Sequence, residues 1–532
     1  MTETNPFITP TGFQLNPHQI NAKKWILTPK ASIKGKKGGF LCLSMGLGKT
    51  LTAIFATIGD RKPEYGGTLV ICPLSVLSTW KQEIAKFYGS TLKVIVAYPK
   101  NEIEKYSKQQ LFEADLVLTT YETIQTLAYH KRNEFAPRIV DSILEVDGAG
   151  KVHDVENAKF PSADKDPLCW EERLFSIRWR WKVFDESQRV GNYNTKTWRG
   201  SMAIWSRYTL HLSGTPVMND VKEYYTQFRL LGYDDCTRTQ WGKNTAKYIK
   251  EDGLEECIYS RSYKDVGIKL PGIESICVPV KLSEEERRVY DKVVEMIRIE
   301  YGHFVSGKDN ASIVLGMFVR LRQLSLASHI AIINSEDKFG TGRQILELMD
   351  SMDLGSWIRD SGGTAGKMSS KLNTAFEILH QIPSDEKFIV FSSFTHPILL
   401  LESRLDEEFS DLHWVYIDGS VKGEERDKLI TKFQTDPKIR GMLITNKTGS
   451  TGLNLSCANH IIFLDEWWND ATNEQGIHRS YRVGQTKVVK IYLLPVMDSI
   501  EQRVRDICER KTEAISKLSS ATTTLSKYMK LL

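Results

Sequence analysis

Short apolar runs alternate with longer polar, helix-like segments in two stretches of the chain. The first stretch has such runs at 39–43, 68–72, 93–97, 115–119, 182–184 and 208–212, and the second has them at 387–391, 414–417, 441–444, 460–464 and 489–494. Near-continuous apolar runs of this length are typical of parallel strands that are covered on both faces. The pattern therefore predicts an α/β fold of two lobes, each with a parallel sheet and crossover helices.

The stretch that joins the two lobes has longer helix-like segments. Ser283, followed by Glu286, predicts a capping box at the start of a helix over 283–301. The expected domains are an N-terminal lobe at 1–230 with an insertion at about 131–176, a helical linker region at 231–370, a C-terminal lobe at 371–505 and a basic tail at 506–532.

Composition narrows the class of protein only a little. The 532 residues include 71 Lys and Arg against 66 Asp and Glu, and the net charge of +5 is too small to indicate a nucleic-acid partner by itself. None of the eight cysteines forms a Cys-x-x-Cys pair, so free thiols are expected and a zinc finger or RING is not.

No apolar run approaches the roughly 18 residues of a membrane span, and no signal-peptide pattern is present. We expect a soluble intracellular protein.

A glycine-rich segment, SMGLGKT at 44–50, follows the first apolar run and precedes a helix-like one. Glycines allow backbone N–H groups to surround phosphates, and a helix N-terminus favours negative charge. Lys49 would neutralise the β- and γ-phosphates of a nucleotide, and the Thr50 hydroxyl would hold Mg²⁺. Leu43 stands where the full pattern has its first glycine, and a chance glycine-rich turn is the alternative. The predicted phosphate loop consists of Met45, Gly46, Leu47, Gly48, Lys49 and Thr50.

Two polar groups follow later strands of the same predicted sheet. Asp185 could hold Mg²⁺ through its water shell, and Glu186 could orient the attacking water as a general base. An Asp-Glu pair alone is common in solvated loops. It indicates a metal site here because the Lys49 loop belongs to the same predicted sheet. Ser213, Gly214 and Thr215 follow the next strand, where their hydroxyls could bond to Asp185 or Glu186 and relay the nucleotide state. An ordinary turn is the alternative.

The second lobe contributes Arg479 and Arg482, which are three residues apart and share one face of a predicted helix. The planar guanidinium of arginine can donate two hydrogen bonds to phosphate oxygens. An arginine supplied to the transferred phosphate in this way accelerates phosphoryl transfer by roughly 10³–10⁵-fold. A solvated basic helix is the alternative for this segment alone. The proposed sites all fall at or beyond the carboxyl ends of predicted strands, where open α/β sheets bind ligands.

These motifs and their order along the chain resemble those of the Swi/Snf-type ATPases of helicase superfamily two. The resemblance covers the chain from about Leu15 to Val504. The resemblance implies two RecA-like lobes with ATP and Mg²⁺ in the cleft between them. It assigns Gln19 to the adenine base and adds Gly452 and Gln475 to the ATP-binding residues. The DNA contacts that it implies are Ser75, Thr119, Thr120, Ser392 and Thr448.

The segments 179–181, 320–323 and 464–469 are similar to those of the helicase-like transcription factor subgroup, which includes post-replication repair translocases. Several positions depart from the family pattern. Ser187 and Gln188 replace the common Ala-His after the acidic pair, and His478 and Tyr481 replace the usual Asp and His near the arginines. We expect activity to survive these changes, although the coupling between ATP and DNA could be altered.

The resemblance implies a DNA-dependent ATPase that translocates on double-stranded DNA and remodels chromatin or other protein–DNA complexes in repair or transcription. Its expected partners are double-stranded DNA, nucleosomes or other DNA-bound proteins, and a targeting subunit, and its expected location is the nucleus. Three alternatives remain open: a strand-separating or RNA-directed helicase, a binding scaffold that has lost turnover, and a small-molecule kinase, which would leave the second lobe unexplained.

Overall fold

In a computed structural model, the chain forms two compact units. The described residues of unit 1 fall within Met1–Lys269, and those of unit 2 fall within Leu270–Arg510. The structure describes residues 7–28, 32–33, 36–128, 174–214, 222–233, 238–251, 254–305, 311–327, 347, 351, 369–409, 412–421, 423–446, 453–466, 470–502 and 505. The predicted insertion lies mostly outside these residues, and the predicted basic tail lies wholly outside them.

The sheet of unit 1 has eight strands in the order β1-β2-β7-β6-β3-β5-β4, with β8 also paired to β2. Every pair is parallel except β1 with β2. The strands are β1 (Ser32–Ile33), β2 (Lys36–Leu43), β3 (Gly66–Cys72), β4 (Val94–Val96), β5 (Leu116–Thr120), β6 (Trp179–Asp185), β7 (Ser206–Leu212) and β8 (Ile258–Arg261).

Both faces of the central strand β3 are buried, because its side chains alternate between two apolar clusters. On β3, Val70 and Cys72 join one cluster while Leu69 and Ile71 join the other. Burying each side chain of this size contributes about 1.5–3 kcal/mol. The described helices of unit 1 are α1 (Pro17–Leu27), α2 (Lys49–Ile58), α3 (Leu74–Tyr88), α4 (Lys100–Ile103), α5 (Lys108–Glu113), α6 (Tyr121–Ala128), α7 (Lys196–Ala203), α8 (Lys222–Leu230) and α9 (Arg238–Glu251).

A row of nearly parallel rings crosses the middle of this sheet. His211 on β7 stacks between Phe40 on β2, at 4.8 Å, and Phe184 on β6, at 5.2 Å between ring centroids. Tyr121, at the start of α6, continues the row at 6.4 Å from Phe184. All four side chains are buried, so the row fixes the end of β6 where the acidic pair begins.

The sheet of unit 2 has six strands in the order β11-β12-β10-β13-β14-β9, and all of its pairs are parallel. The strands are β9 (Ile273–Cys277), β10 (Phe388–Ser392), β11 (His413–Ile417), β12 (Ile439–Thr445), β13 (His460–Phe463) and β14 (Val489–Leu493). The described helices of unit 2 are α10 (Glu284–Val305), α11 (Ala311–Leu326), α12 (Ser370–Gln381), α13 (Thr395–Glu408), α14 (Gly423–Thr435) and α15 (Asp470–Ser480).

A buried ion pair joins α11 to the end of the sheet in unit 2. Arg322 donates a hydrogen bond to Asp465 at 2.8 Å, and the two side chains are 6% and 1% exposed. The other carboxylate oxygen of Asp465 accepts from the Ser392 hydroxyl at 2.7 Å and from the Ser393 backbone N–H at 2.8 Å. Asp465 thus holds the ends of β10 and β13 and the last turns of α11 together.

The two parallel sheets and all eleven predicted strands are confirmed. The capping box at α10 is also confirmed, because the Ser283 backbone N–H donates to Glu286 at 2.9 Å and the Glu286 N–H donates to the Ser283 hydroxyl at 3.2 Å. The sequence pattern missed β1, β8 and β9, and the last two lie in the stretch expected to be helical. Within the described part of the chain, no helix has the length and apolarity to cross a membrane.

Candidate nucleotide site

The predicted phosphate loop connects β2 to α2. Gly46 and Gly48 have φ angles of +83° and +77°, a left-handed conformation that favours glycine. A Cβ atom at Gly48 would lie 2.3 Å from the side-chain nitrogen of Gln19, so a larger residue would collide with it. The glycines therefore permit both the tight turn and the close approach of Gln19.

Lys49 and Thr50 occupy the first turn of α2. The Lys49 ammonium donates a hydrogen bond to the backbone carbonyl of Leu43 at 2.7 Å, which holds the charge over the loop. A Cβ atom at Gly214 would lie 3.8 Å from this ammonium and 3.9 Å from the Met45 side chain. The structure thus brings the predicted coupling segment against the predicted phosphate loop.

Gln19 is buried at the start of α1, with 3% of its surface exposed. Its side-chain oxygen accepts from the Asn16 backbone N–H at 2.9 Å, which directs its nitrogen toward Gly48. The neighbouring His18 ring contacts the Leu47 carbonyl through Nε2 at 3.0 Å. Gln19 is therefore fixed beside the loop, where the resemblance assigns it to the base of the nucleotide.

Two further residues that support the loop were missed by the sequence reasoning. The Ser44 backbone N–H donates to the Arg261 carbonyl at 3.0 Å, and the Tyr263 hydroxyl donates to the Met45 carbonyl. Both residues lie at or just beyond the end of β8, the short strand that the sequence pattern did not reveal. No motif marks them, because their role depends on β8 pairing with β2.

Asp185, at the end of β6, is 6% exposed and has a donor on each carboxylate oxygen. The Trp80 indole N–H donates to Oδ2 at 2.7 Å, and the Glu186 backbone N–H donates to Oδ1 at 3.0 Å. The pKa of Asp185 is raised to about 6, mainly by burial and also by the Glu186 charge, whereas the Trp80 hydrogen bond and the Lys49 charge act in the opposite direction. The positive charge of Lys49 therefore favours the ionised form of the Asp185 carboxyl.

Glu186 has a φ angle of +50°, in the left-handed region. This conformation is strained for any residue other than glycine, and such strain often occurs at functional sites. The Gln188 amide donates to Glu186 Oε2 at 2.8 Å, and the Ser213 hydroxyl donates to Gln188 Oε1 at 2.9 Å. Ser213 is therefore connected to Glu186 through Gln188, a link that the sequence reasoning did not foresee, and the relay of the nucleotide state stays a prediction. Thr215 lies outside the described residues.

In unit 2, the two candidate arginines lie at and just after the end of α15. Arg479 is buried, and its carbonyl accepts from the Leu455 backbone N–H at 2.9 Å. Arg482 donates to the Leu453 carbonyl at 3.2 Å. Gln475 lies one turn earlier on the same helix. Gly452 lies outside the described residues, and the ATP contacts of these four residues stay predictions.

The residues expected to contact DNA differ in exposure. Ser75, in the first turn of α3, is partly exposed. Thr119 and Thr120 are buried, and their hydroxyls bond to the Ala97 carbonyl and the Thr123 hydroxyl, both at 3.0 Å. Ser392 is also buried and donates to Asp465, as described above. Thr448 lies outside the described residues. The DNA contacts stay predictions, and three of the hydroxyls already have partners within the protein.

These residues fit ATP and Mg²⁺. The glycine turn leaves a cradle that a Cβ atom would fill, a lysine ammonium lies at its base, and Asp185 supplies the carboxylate that Mg²⁺ prefers. Lys49, Thr50 and Asp185 would therefore hold the phosphates and the ion.

Two family models match the chain. Residues 18–329, more than half of the chain, match the SNF2-related domain, and residues 370–484 match the helicase conserved C-terminal domain. The chain belongs to the SNF2-related family. It is an ATP-hydrolysing enzyme with two RecA-like lobes, and the resemblance to Swi/Snf-type ATPases is confirmed at this level.

Individual relatives span different shares of their own length. The candidate helicase 172L of Invertebrate iridescent virus 6 is 29% identical over 94% of this chain and 90% of its own length. DNA repair protein RAD5A of Arabidopsis thaliana is 23% identical over 85% of this chain and 50% of its own length. The SWI2/SNF2 ATPase core of Sulfolobus solfataricus, solved in complex with dsDNA, is 21% identical, with 98% of this chain and 96% of that chain covered and a TM-score of 0.37.

Proposed function

We propose that the protein is a DNA-dependent ATPase that translocates along double-stranded DNA. The observation that carries the proposal is the joining of three separate strand ends around Lys49 in a chain of the SNF2-related family. Gly214, after the end of β7, lies beside the Lys49 ammonium, and Asp185 ends β6, which pairs with β7 in the same sheet. A site that links its phosphate loop to a relay segment suits an enzyme that converts hydrolysis into movement.

The chemical roles follow from the contacts of each side chain. Lys49 neutralises the phosphates, and Asp185 holds the water shell of Mg²⁺. Glu186 accepts the proton of the attacking water. Since the Gln188 amide donates to Oε2 of Glu186, we assign proton transfer to Oε1. Bound ATP supplies the free energy, and Arg479 and Arg482 are assigned by resemblance to its γ-phosphate.

We propose DNA as the polymer along which the enzyme moves, because the chain belongs to the SNF2-related family and because Ser75, at the start of α3, is partly exposed. Such contacts are made mainly to phosphates, so we expect weak sequence preference and strong salt dependence. We further propose that the protein belongs to the helicase-like transcription factor subgroup and moves proteins on DNA in repair or transcription. The segments 179–181, 320–323 and 464–469 support the subgroup, as does the repair function in the name of the Arabidopsis relative.

A displacement experiment tests the mode of movement. ATP-dependent release of a third strand from a triplex on duplex DNA is compared with strand separation of a tailed duplex of DNA or RNA, using Glu186→Gln as the inactive control. We expect triplex release without strand separation. Strand separation of the tailed DNA or RNA, with no triplex release, would instead identify a strand-separating helicase.

A further inference from the structure

Two aromatic side chains from different helices donate hydrogen bonds to the same residue of the nucleotide site. The Trp80 indole N–H, on α3, donates to Oδ2 of Asp185 at 2.7 Å. The Tyr121 hydroxyl, on α6, donates to the backbone carbonyl of Asp185, also at 2.7 Å. Trp80, Tyr121 and Asp185 are 0%, 2% and 6% exposed. Both bonds are therefore formed away from bulk water.

The two bonds fix Asp185 in different ways. Oδ1 accepts from the Glu186 backbone N–H at 3.0 Å, so the Trp80 bond to Oδ2 fixes the second oxygen and with it the plane of the carboxylate. The Tyr121 bond holds the peptide group between Asp185 and Glu186. Since this peptide precedes a residue in the left-handed conformation, it also fixes the direction of the Glu186 side chain.

Both donors are themselves held rigidly. The Tyr121 ring stacks on Phe184 with an interplanar angle of 11°, and the Arg189 guanidinium lies 5.9 Å from the centre of the Tyr121 ring. Trp80 is enclosed by the apolar cluster on one face of the sheet. Neither side chain belongs to the phosphate loop, the acidic pair or the relay segment.

We propose that Trp80 and Tyr121 are positioning residues for Asp185, which orient its carboxylate for the water shell of Mg²⁺. Partners of this kind around a metal ligand commonly contribute about 10–100-fold to metal affinity or activity. The inference rests on the nucleotide site of the proposed function and is independent of the polymer along which the enzyme moves. A simpler role, in which the two donors only satisfy buried acceptors, predicts a loss of stability and no effect specific to Mg²⁺.

The test uses variants that remove one donor and keep the ring. Trp80→Phe removes the indole N–H, and Tyr121→Phe removes only the hydroxyl. Trp181→Phe is the matched control, because the Trp181 indole N–H donates to the carboxylate of Asp60 at 3.0 Å, away from the site. Binding of a fluorescent ATP analogue is measured with Mg²⁺ and with a chelator, alongside the melting temperature of each variant.

For Trp80→Phe and Tyr121→Phe, we expect affinity in the chelator to stay within about twofold while the gain from Mg²⁺ falls by about 10-fold. The Mg²⁺ concentration for half-maximal hydrolysis should rise in the same variants, and Trp181→Phe should leave both quantities unchanged. An unchanged gain from Mg²⁺, or an equal loss of affinity in both conditions, would overturn the positioning role. If the wild-type protein itself bound the analogue without any gain from Mg²⁺, the nucleotide-site assignment would fail first.

Discussion

The hydroxyl of Ser213 donates a hydrogen bond to the side-chain carbonyl of Gln188 at 2.9 Å. Through the amide of Gln188, this bond continues to Glu186 at 2.8 Å. The end of β7 is thereby connected to the proposed general base. Because Gly214 also packs against Lys49, a change at the phosphates has a short path to Glu186.

Replacing Gln188 tests this connection. Gln188→Ala removes both hydrogen bonds and leaves the Glu186 carboxylate without its amide donor, so we expect kcat to fall about 10-fold with KM for ATP within about twofold. Gln109→Ala is the control, because Gln109 is exposed on α5 and donates to Glu113. A rise in KM at constant kcat would show that Gln188 serves binding alone.

Lys49 should be indispensable for turnover. Lys49→Ala removes the ammonium that faces the loop, and loss of one preorganised charge donor typically costs about 10²–10³-fold in kcat. Steady-state hydrolysis measures the effect, with Lys93→Ala as the control because Lys93 forms an exposed ion pair with Glu113. Hydrolysis at the wild-type rate by Lys49→Ala would mean that the phosphate loop is assigned wrongly.

Removing one partner of the buried Arg322–Asp465 pair should strongly destabilise unit 2. Arg322→Met leaves the Asp465 carboxylate buried without its charged partner, which typically costs about 3–5 kcal/mol in the free energy of unfolding. Lys292→Ala breaks an exposed pair with Glu295 in the same unit and should cost about 0–1 kcal/mol. Equal effects of the two substitutions in urea unfolding would contradict this ranking.

His211 should make unit 1 less stable in acid. The pKa of His211 is lowered to about 3, mainly by burial of the ring and also by the neighbouring Lys182 charge. Below about pH 6.5, His211 is protonated in the unfolded chain but stays neutral in the folded chain. The free energy of unfolding therefore falls by up to about 1.4 kcal/mol per pH unit until the pH reaches the pKa of His211 in the folded protein.

His211→Phe tests this pH dependence, since a phenyl ring can stack between Phe40 and Phe184 and does not titrate. Urea unfolding at several pH values between about 6.5 and 5 should show a shallower loss of stability in the variant than in the wild-type protein. Parallel curves for the two proteins would show that His211 carries no such penalty.

The strands were predictable from sequence because their side chains are buried on both faces of the sheet, as Val70 and Leu69 illustrate. In contrast, β9 lies at a sheet edge with mostly exposed residues, and β8 has only four residues, so neither leaves a long apolar run. The proximity of Lys49 and Asp185 followed from the rule that parallel strands end at one edge.

The support of the site was much less predictable. Trp80 and Asp185 are 105 positions apart, and their hydrogen bond depends on how α3 packs against the sheet. Gln188 was noticed only as a departure from the family pattern, although it connects Ser213 with Glu186. Single side-chain hydrogen bonds of this kind leave no periodic signal in the sequence.

Hydrolysis of ATP by the purified chain, measured without nucleic acid and with single-stranded DNA, duplex DNA or RNA, tests the DNA-dependent motor most directly. Glu186→Gln serves as the inactive control, because it removes the proposed general base. We predict that duplex DNA stimulates hydrolysis most strongly and that the control stays inactive with every polymer. Hydrolysis that no nucleic acid stimulates would contradict the DNA-dependent motor and favour an enzyme that depends on a partner protein.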